Sequence, residues 1–98
     1  MLKKDLYSHR SEILEICENE GIKKLMLFGS TAREESSSIS DIDFLVEFKT
    51  NKSLFKIIAL KHKLEDLLQN NVDLLTPDSL SPYFKNDVLK EAEIFYEA

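Results

Sequence analysis

The chain has one cysteine, Cys17, so it cannot close an internal disulfide, and nothing points to a stapled, secreted scaffold. Glycine and proline occur only twice each, too rarely for a flexible linker or a disordered tail. No apolar run approaches the length of a membrane span, and the opening "MLKKDLYSHRSEIL" lacks the apolar core of a signal peptide. A cytoplasmic protein with no membrane association is expected. Positive charge is also in short supply: 13 Lys and Arg stand against 18 Asp and Glu, a net charge of −5. A surface built to grip nucleic-acid phosphates needs a basic stripe, so no direct nucleic-acid binding is expected. Nucleotide substrates stay open, because divalent ions can bridge acidic side chains to phosphates. At 98 residues the chain suits one domain over 1–98.

Hydrophobic patterning divides what is present into seven elements. Residues 3–20 predict a helix, with Leu6, Ile13, Leu14 and Cys17 on one side and Gly21 as its stop. "KKLMLF" at 23–28 is short and apolar, as a buried strand is, and it runs into Gly29. Ser30 occupies an N-cap position for a short helix in "STAREE", and "SSSIS" reads as a loop. Residues 41–48 alternate: Ile42, Phe44, Val46 and Phe48 on one face, Asp41, Asp43, Leu45 and Glu47 on the other. Residues 53–69 carry a helical stripe of Leu54, Ile57, Leu60, Leu64, Leu67 and Leu68. "VDLLT" at 72–76 predicts a third strand, stopped by Pro77. From Ser81 as cap and Pro82 as first residue, a last helix is expected through "SPYFKNDVLKEAEIFY", with Leu89, Ala92 and Phe95 or Tyr96 facing inward. The order α-β-α-β-α-β-α predicts an α/β (α+β) domain, a small mixed β-sheet flanked by helices.

Two aspartates interrupt a strand where Val or Ile would fit better. Asp41 and Asp43 are two apart, so both carboxylates project from one face. Adjacent carboxylates repel and stay ionised cheaply only with a cation between them. Mg²⁺ suits such a pair, since it takes oxygen ligands and commonly uses one or two carboxylates together with substrate phosphates. Asp73 breaks its own apolar strand in the same way and is the candidate third ligand. Taken singly, each feature has a plainer reading. A lone D-x-D is more often a strand-end feature, Gly29-Ser30 an ordinary capped turn, and Arg33 half of a surface ion pair. His9, His62 and the "KHK" at 61–63 read as solvated helix surface, and Cys17 as core packing.

The combination is more specific. A Gly-Ser follows an apolar strand, ten residues intervene, D-x-D opens the next strand, and a third Asp appears in another. This resembles the nucleotidyltransferase superfamily related to DNA polymerase β, and within it the minimal nucleotidyltransferases of prokaryotes. "GSTARE" and "SDIDFLVEF" match the family's line at Gly29, Ser30, Ala32, Arg33, Ser40, Asp41, Ile42, Asp43, Leu45 and Val46; "VDLLT" resembles its third-acid strand, and "EAEIFY" its C-terminal helix. Glu34 departs from the pattern, standing where a glycine is usual.

The resemblance implies that Gly29 and Ser30, with Arg33, hold a triphosphate. It further implies that Asp41 and Asp43 ligate two Mg²⁺ ions, and that Asp73 ligates one of them and helps deprotonate the acceptor. It implies ATP as substrate and a hetero-oligomeric partner, a HEPN-domain toxin ribonuclease. The activity implied is that of an antitoxin moving AMP from Mg-ATP to a tyrosine of that toxin. Two other readings remain open at this stage: an antitoxin acting by binding alone, and a nucleotidyltransferase acting on a small-molecule acceptor.

Overall fold

The strand 42–48 organises the molecule. Its alternating apolar residues Ile42, Phe44 and Val46 are fully buried in the main core, and Phe48 packs against that core. The computed structural model describes residues 3–29 and 41–98. The described elements run α1 (Lys3–Ser8), α2 (Arg10–Asn19), β1 (Ile22–Leu27), β2 (Ile42–Phe48), α3 (Leu54–Leu68), β3 (Val72–Leu75), a 3₁₀ turn (Pro77–Ser79), α4 (Pro82–Glu91) and β4 (Glu93–Glu97). They form the mixed α/β architecture read from the sequence. The short helix expected from Ser30 and the serine loop at 36–40 lie outside the described residues.

Among the described residues the sheet has four strands, in the order β3-β2-β1-β4. β1 is antiparallel to both β2 and β4, while β2 and β3 run parallel. A parallel pair needs a crossover, and α3 supplies it. Leu60, Leu64 and Leu68 on α3, Ile13 and Cys17 on α2 and Leu6 on α1 close one face of the sheet. Leu45 and Met26, register partners on the opposite face, are also buried, so both faces of the central strands are covered.

Four expectations need correction. The predicted helix 3–20 is two helices. His9 leaves the helical region (φ −99°, ψ 14°), its N–H bonds back three residues to Leu6, and the Ser8 hydroxyl donates to the Asp5 carbonyl at 2.5 Å. Serine competes in this way with the helical ladder. The last helix does not run through "EIFY": it stops at Glu91, and Glu93–Glu97 become β4. Ile94, Phe95 and Tyr96 are strand formers, and β1 offers an edge whose N–H and C=O groups require partners. As a strand the segment sends Phe95 into the core, its ring 4.8 Å from Tyr7 and 6.4 Å from Phe44, centroid to centroid. The other corrections concern helix faces. Leu54 begins the α3 stripe but is 68% exposed, since residues 54–56 all face solvent and the inward stripe starts at Ile57; Leu89 is exposed, and α4 buries no residue.

The cap expected at Ser81 forms, its side chain accepting from the Tyr83 N–H, and Ser53 caps α3 by accepting from the Lys56 N–H. Tyr7 is pinned at its polar tip, its hydroxyl donating to Glu93 at 3.2 Å, and Lys3 pairs with the same carboxylate at 2.8 Å. Burial, then the charge and hydrogen bond of Glu93, push the Tyr7 hydroxyl above its ordinary range. Among the described residues no helix is long and apolar enough to cross a membrane.

Candidate functional site

Three strand ends meet at one end of the sheet: the C-terminal end of β1 and the N-terminal ends of β2 and β3. Antiparallel pairing brings the chain after Leu27 alongside Asp43. Leu27 pairs with Phe44, and the Phe28 N–H donates to the Asp43 carbonyl at 3.2 Å. Parallel pairing then sets Asp43 directly beside Asp73, with Ile42 beside Val72 and Phe44 beside Leu74. Neighbouring strands lie about 4.8 Å apart, so the two carboxylates leave the sheet side by side on one face. Asp41 is two residues before Asp43, just ahead of β2, and shares that side. Asp41 and Asp73 are exposed, and Asp43 is partly buried.

Gly29 closes this end of the site. Its φ of +63° lies in the left-handed region, and a Cβ built there would stand 2.7 Å from Asp43 Oδ2. Only glycine gives both the backbone turn and this approach to the carboxylate. The second left-handed glycine, Gly21, ends α2 at φ +67° and meets nothing closer than the tip of Lys52, 3.8 Å away. The pressure on Gly29 therefore comes from the site and not from turning the chain alone. Ser30 and Arg33, the other expected phosphate contacts, lie outside the described residues, as does Glu34.

Like charges on adjacent strands are unfavourable in a sheet. A hard divalent cation between Asp43 and Asp73 would offset that repulsion. Among the described residues no three His, Cys, Asp or Glu side chains lie close enough together to hold a metal ion by themselves. The all-oxygen pair does fit Mg²⁺ in its usual mode, held by one or two carboxylates and completed by substrate phosphates.

A cavity of about 400 Å³, lined by Phe48, Thr50, Lys52, Ile57 and Pro77 among others, lies at the other end of β2. Five residues separate Asp43 from Phe48, roughly 16 Å along a strand, so this cavity is not the acid site. One residue beside the acids was not singled out from the sequence. Glu65, in the last part of α3, accepts the Val72 N–H at 3.0 Å, next to Asp73. In sequence it reads as one more charge on the wet side of a helix, and only the crossover geometry distinguishes it.

The family model "Polymerase beta, Nucleotidyltransferase" matches residues 11–98. A candidate protein adenylyltransferase of Methanocaldococcus jannaschii is 43% identical over 83 residues, covering 85% of this chain and 89% of that one. A solved structure of a candidate minimal nucleotidyltransferase superposes with a TM-score of 0.83 at 35% identity, covering 95% of each chain. Two toxin–antitoxin crystal structures share the fold at lower identity. One, with AMP-PNP, has a TM-score of 0.77 at 22% identity over 91% of this chain and 73% of that one. The other holds a tri-AMPylated HEPN toxin of Shewanella oneidensis with its MNT antitoxin, at a TM-score of 0.71 and 20% identity, covering 94% and 72%. One end of the sheet brings Gly29, Asp43 and Asp73 together, and the chain belongs to the polymerase β nucleotidyltransferase family.

Proposed function

We propose that this protein is an antitoxin that transfers AMP from Mg-ATP to a tyrosine of a HEPN-domain toxin and neutralises it. The observation that carries the reading is the pairing of Asp43 with Asp73 across the parallel strands, with Gly29 backed against Asp43. The name of the M. jannaschii relative and the AMPylated toxin in a fold neighbour support the reaction class and the kind of partner. The AMP-PNP complex supports ATP as donor.

In this reading Asp41, Asp43 and Asp73 would be the residues that hold two Mg²⁺ ions. Bound there, the ions neutralise phosphate charge and stabilise the entering and leaving oxygens of an in-line displacement. Gly29, by having no side chain, leaves its backbone free to approach the triphosphate, with Ser30 and Arg33 as further phosphate contacts. Asp73 accepts the phenolic proton of the acceptor as its oxygen attacks the α-phosphorus. The bond from that phosphorus to the bridging oxygen breaks, and pyrophosphate leaves. Positioning and electrostatics supply most of the rate in such transfers.

The test is to incubate the protein with Mg-ATP and a folded HEPN partner and to weigh the partner by intact mass spectrometry. One or more added AMP groups, localised to tyrosine by peptide sequencing, are expected. Absence of any adduct with the wild-type protein sinks the catalytic reading. Asp41→Asn and Asp43→Asn should each abolish the adduct, and its persistence would place the site elsewhere.

A further inference from the structure

At the start of the ladder between β2 and β3, one peptide group ties both strands to helix α3. The peptide linking Asn71 to Val72 presents its carbonyl to β2, where it accepts the Ile42 N–H at 3.0 Å. Its N–H points the opposite way and donates to the Glu65 carboxylate at 3.0 Å. Ile42 lies between Asp41 and Asp43, and Val72 directly precedes Asp73. One peptide plane is thus held on one side by β2, at the residue between Asp41 and Asp43, and on the other by helix α3.

Among the described residues β3 is an edge strand, so its outward N–H groups have no strand to bond. The usual remedy is water. Here a half-buried carboxylate from α3, seven residues back, takes the first of them. A carboxylate is a stronger acceptor than a water or an amide, and donors and acceptors on one peptide polarise each other. Leu64 and Leu68, flanking Glu65 on the same helix, are buried in the core, so the carboxylate is delivered from an anchored backbone. The Asn71 carbonyl has a second donor at this corner. The Gln69 side chain donates to the Asp66 carbonyl and the Asn70 side chain to the Asn71 carbonyl.

We infer that Glu65 is a positioning residue: by clamping the Asn71–Val72 peptide it sets where Asp73 stands relative to Asp43. The inference rests on the proposed role of Asp73 and adds a residue that touches neither nucleotide nor acceptor. Displacements on the order of 1 Å at a catalytic group can lower rates about 100-fold, so a clamp one residue from Asp73 is well placed to matter.

The experiment is a double-mutant cycle on the AMP-transfer rate, with amide hydrogen exchange at Val72 as a readout independent of activity. Glu65→Ala is expected to slow transfer by about 10- to 100-fold and to speed exchange of the Val72 amide. Glu65→Gln keeps an acceptor oxygen and is expected to restore most of the rate. In an Asp73→Asn background Glu65→Ala should add no further loss, because its effect passes through Asp73. Additive losses, a Glu65→Gln variant as slow as Glu65→Ala, or unchanged Val72 exchange would each overturn the inference, leaving Glu65 as surface charge or general support. The underlying reading fails separately: a wild type without transfer, or an Asp73→Asn variant at the wild-type rate, removes the role of Asp73 and the inference with it. An active, Asp73-dependent wild type matched by Glu65→Ala removes the inference alone.

Discussion

Replacing Gly29 by alanine adds one methyl group and strains two things at once. At φ +63° a residue with a Cβ loses about 1–3 kcal/mol in backbone strain. The new carbon would also stand 2.7 Å from Asp43 Oδ2, whereas ordinary contact begins at 3.4 Å, so the carboxylate must withdraw by about 0.7 Å. For a domain of this size each kcal/mol shifts the melting temperature by about 4–8 °C. A displacement approaching 1 Å at a catalytic group lowers rates by roughly 10- to 100-fold. Gly21→Ala is the internal control. It has nearly the same φ, +67°, but only a flexible lysine tip at 3.8 Å, so it should lose similar stability and no activity. Thermal melts and AMP transfer to a HEPN partner, measured for both variants, separate the two effects. If Gly29→Ala and Gly21→Ala lose stability alike and both keep the wild-type rate, the close approach to Asp43 has no catalytic meaning and Gly29 is not part of the site.

Further outcomes follow from other parts of the molecule. Mg²⁺ with ATP should raise the melting temperature of the wild type and leave Asp43→Asn unmoved, and EDTA should abolish both this shift and AMP transfer. Phe44→Ala, at a fully buried ring between the helices and Phe95, should destabilise the fold by about 3–5 kcal/mol, read as a lower urea midpoint. The Cys17 thiol is pushed up to about 12, chiefly by burial and then by Glu18. The folded state therefore favours the neutral thiol. That contribution is complete below the ordinary thiol range near ~8.5 and is lost as pH climbs from there toward the folded value. Stability of the wild type should accordingly fall more steeply than that of Cys17→Ala in alkaline solution. Iodoacetamide at about pH 8 should label Cys17 only after unfolding, as read by intact mass.

What the sequence disclosed depended on the range of the physics involved. The D-x-D strand was legible because a period of two is local: Ile42, Phe44 and Val46 could be assigned to the core and Asp43 to the other face without knowing any neighbour. Gly21 and Gly29 were legible as turn points for the same reason. The pairing of Asp43 with Asp73 was suspected from matching interruptions, but it depends on a register set by a fifteen-residue crossover helix. β4 was missed because no glycine or proline separates Glu91 from Glu93. The helical reading ran on through a stretch whose Ile-Phe-Tyr content favours a strand once an edge is available. Leu54 was placed inside because a helical stripe does not say where the sheet beneath it ends. Glu65 carried no local signal, since its partner is a backbone amide and not a side chain.

The parallel register of β3 against β2 also has a consequence for how the chain folds. Val72 is buried in the core and Asp73, its neighbour, faces out. A slip of one residue would exchange them, leaving a carboxylate in the seat of Val72, and an unpaired buried charge is prohibitive for a domain of marginal stability. A folded population with misaligned acids is therefore suppressed by the same energetics that form the core. Assembly of the sheet serves as its own proofreading: a molecule that has completed its core has also set Asp73 beside Asp43.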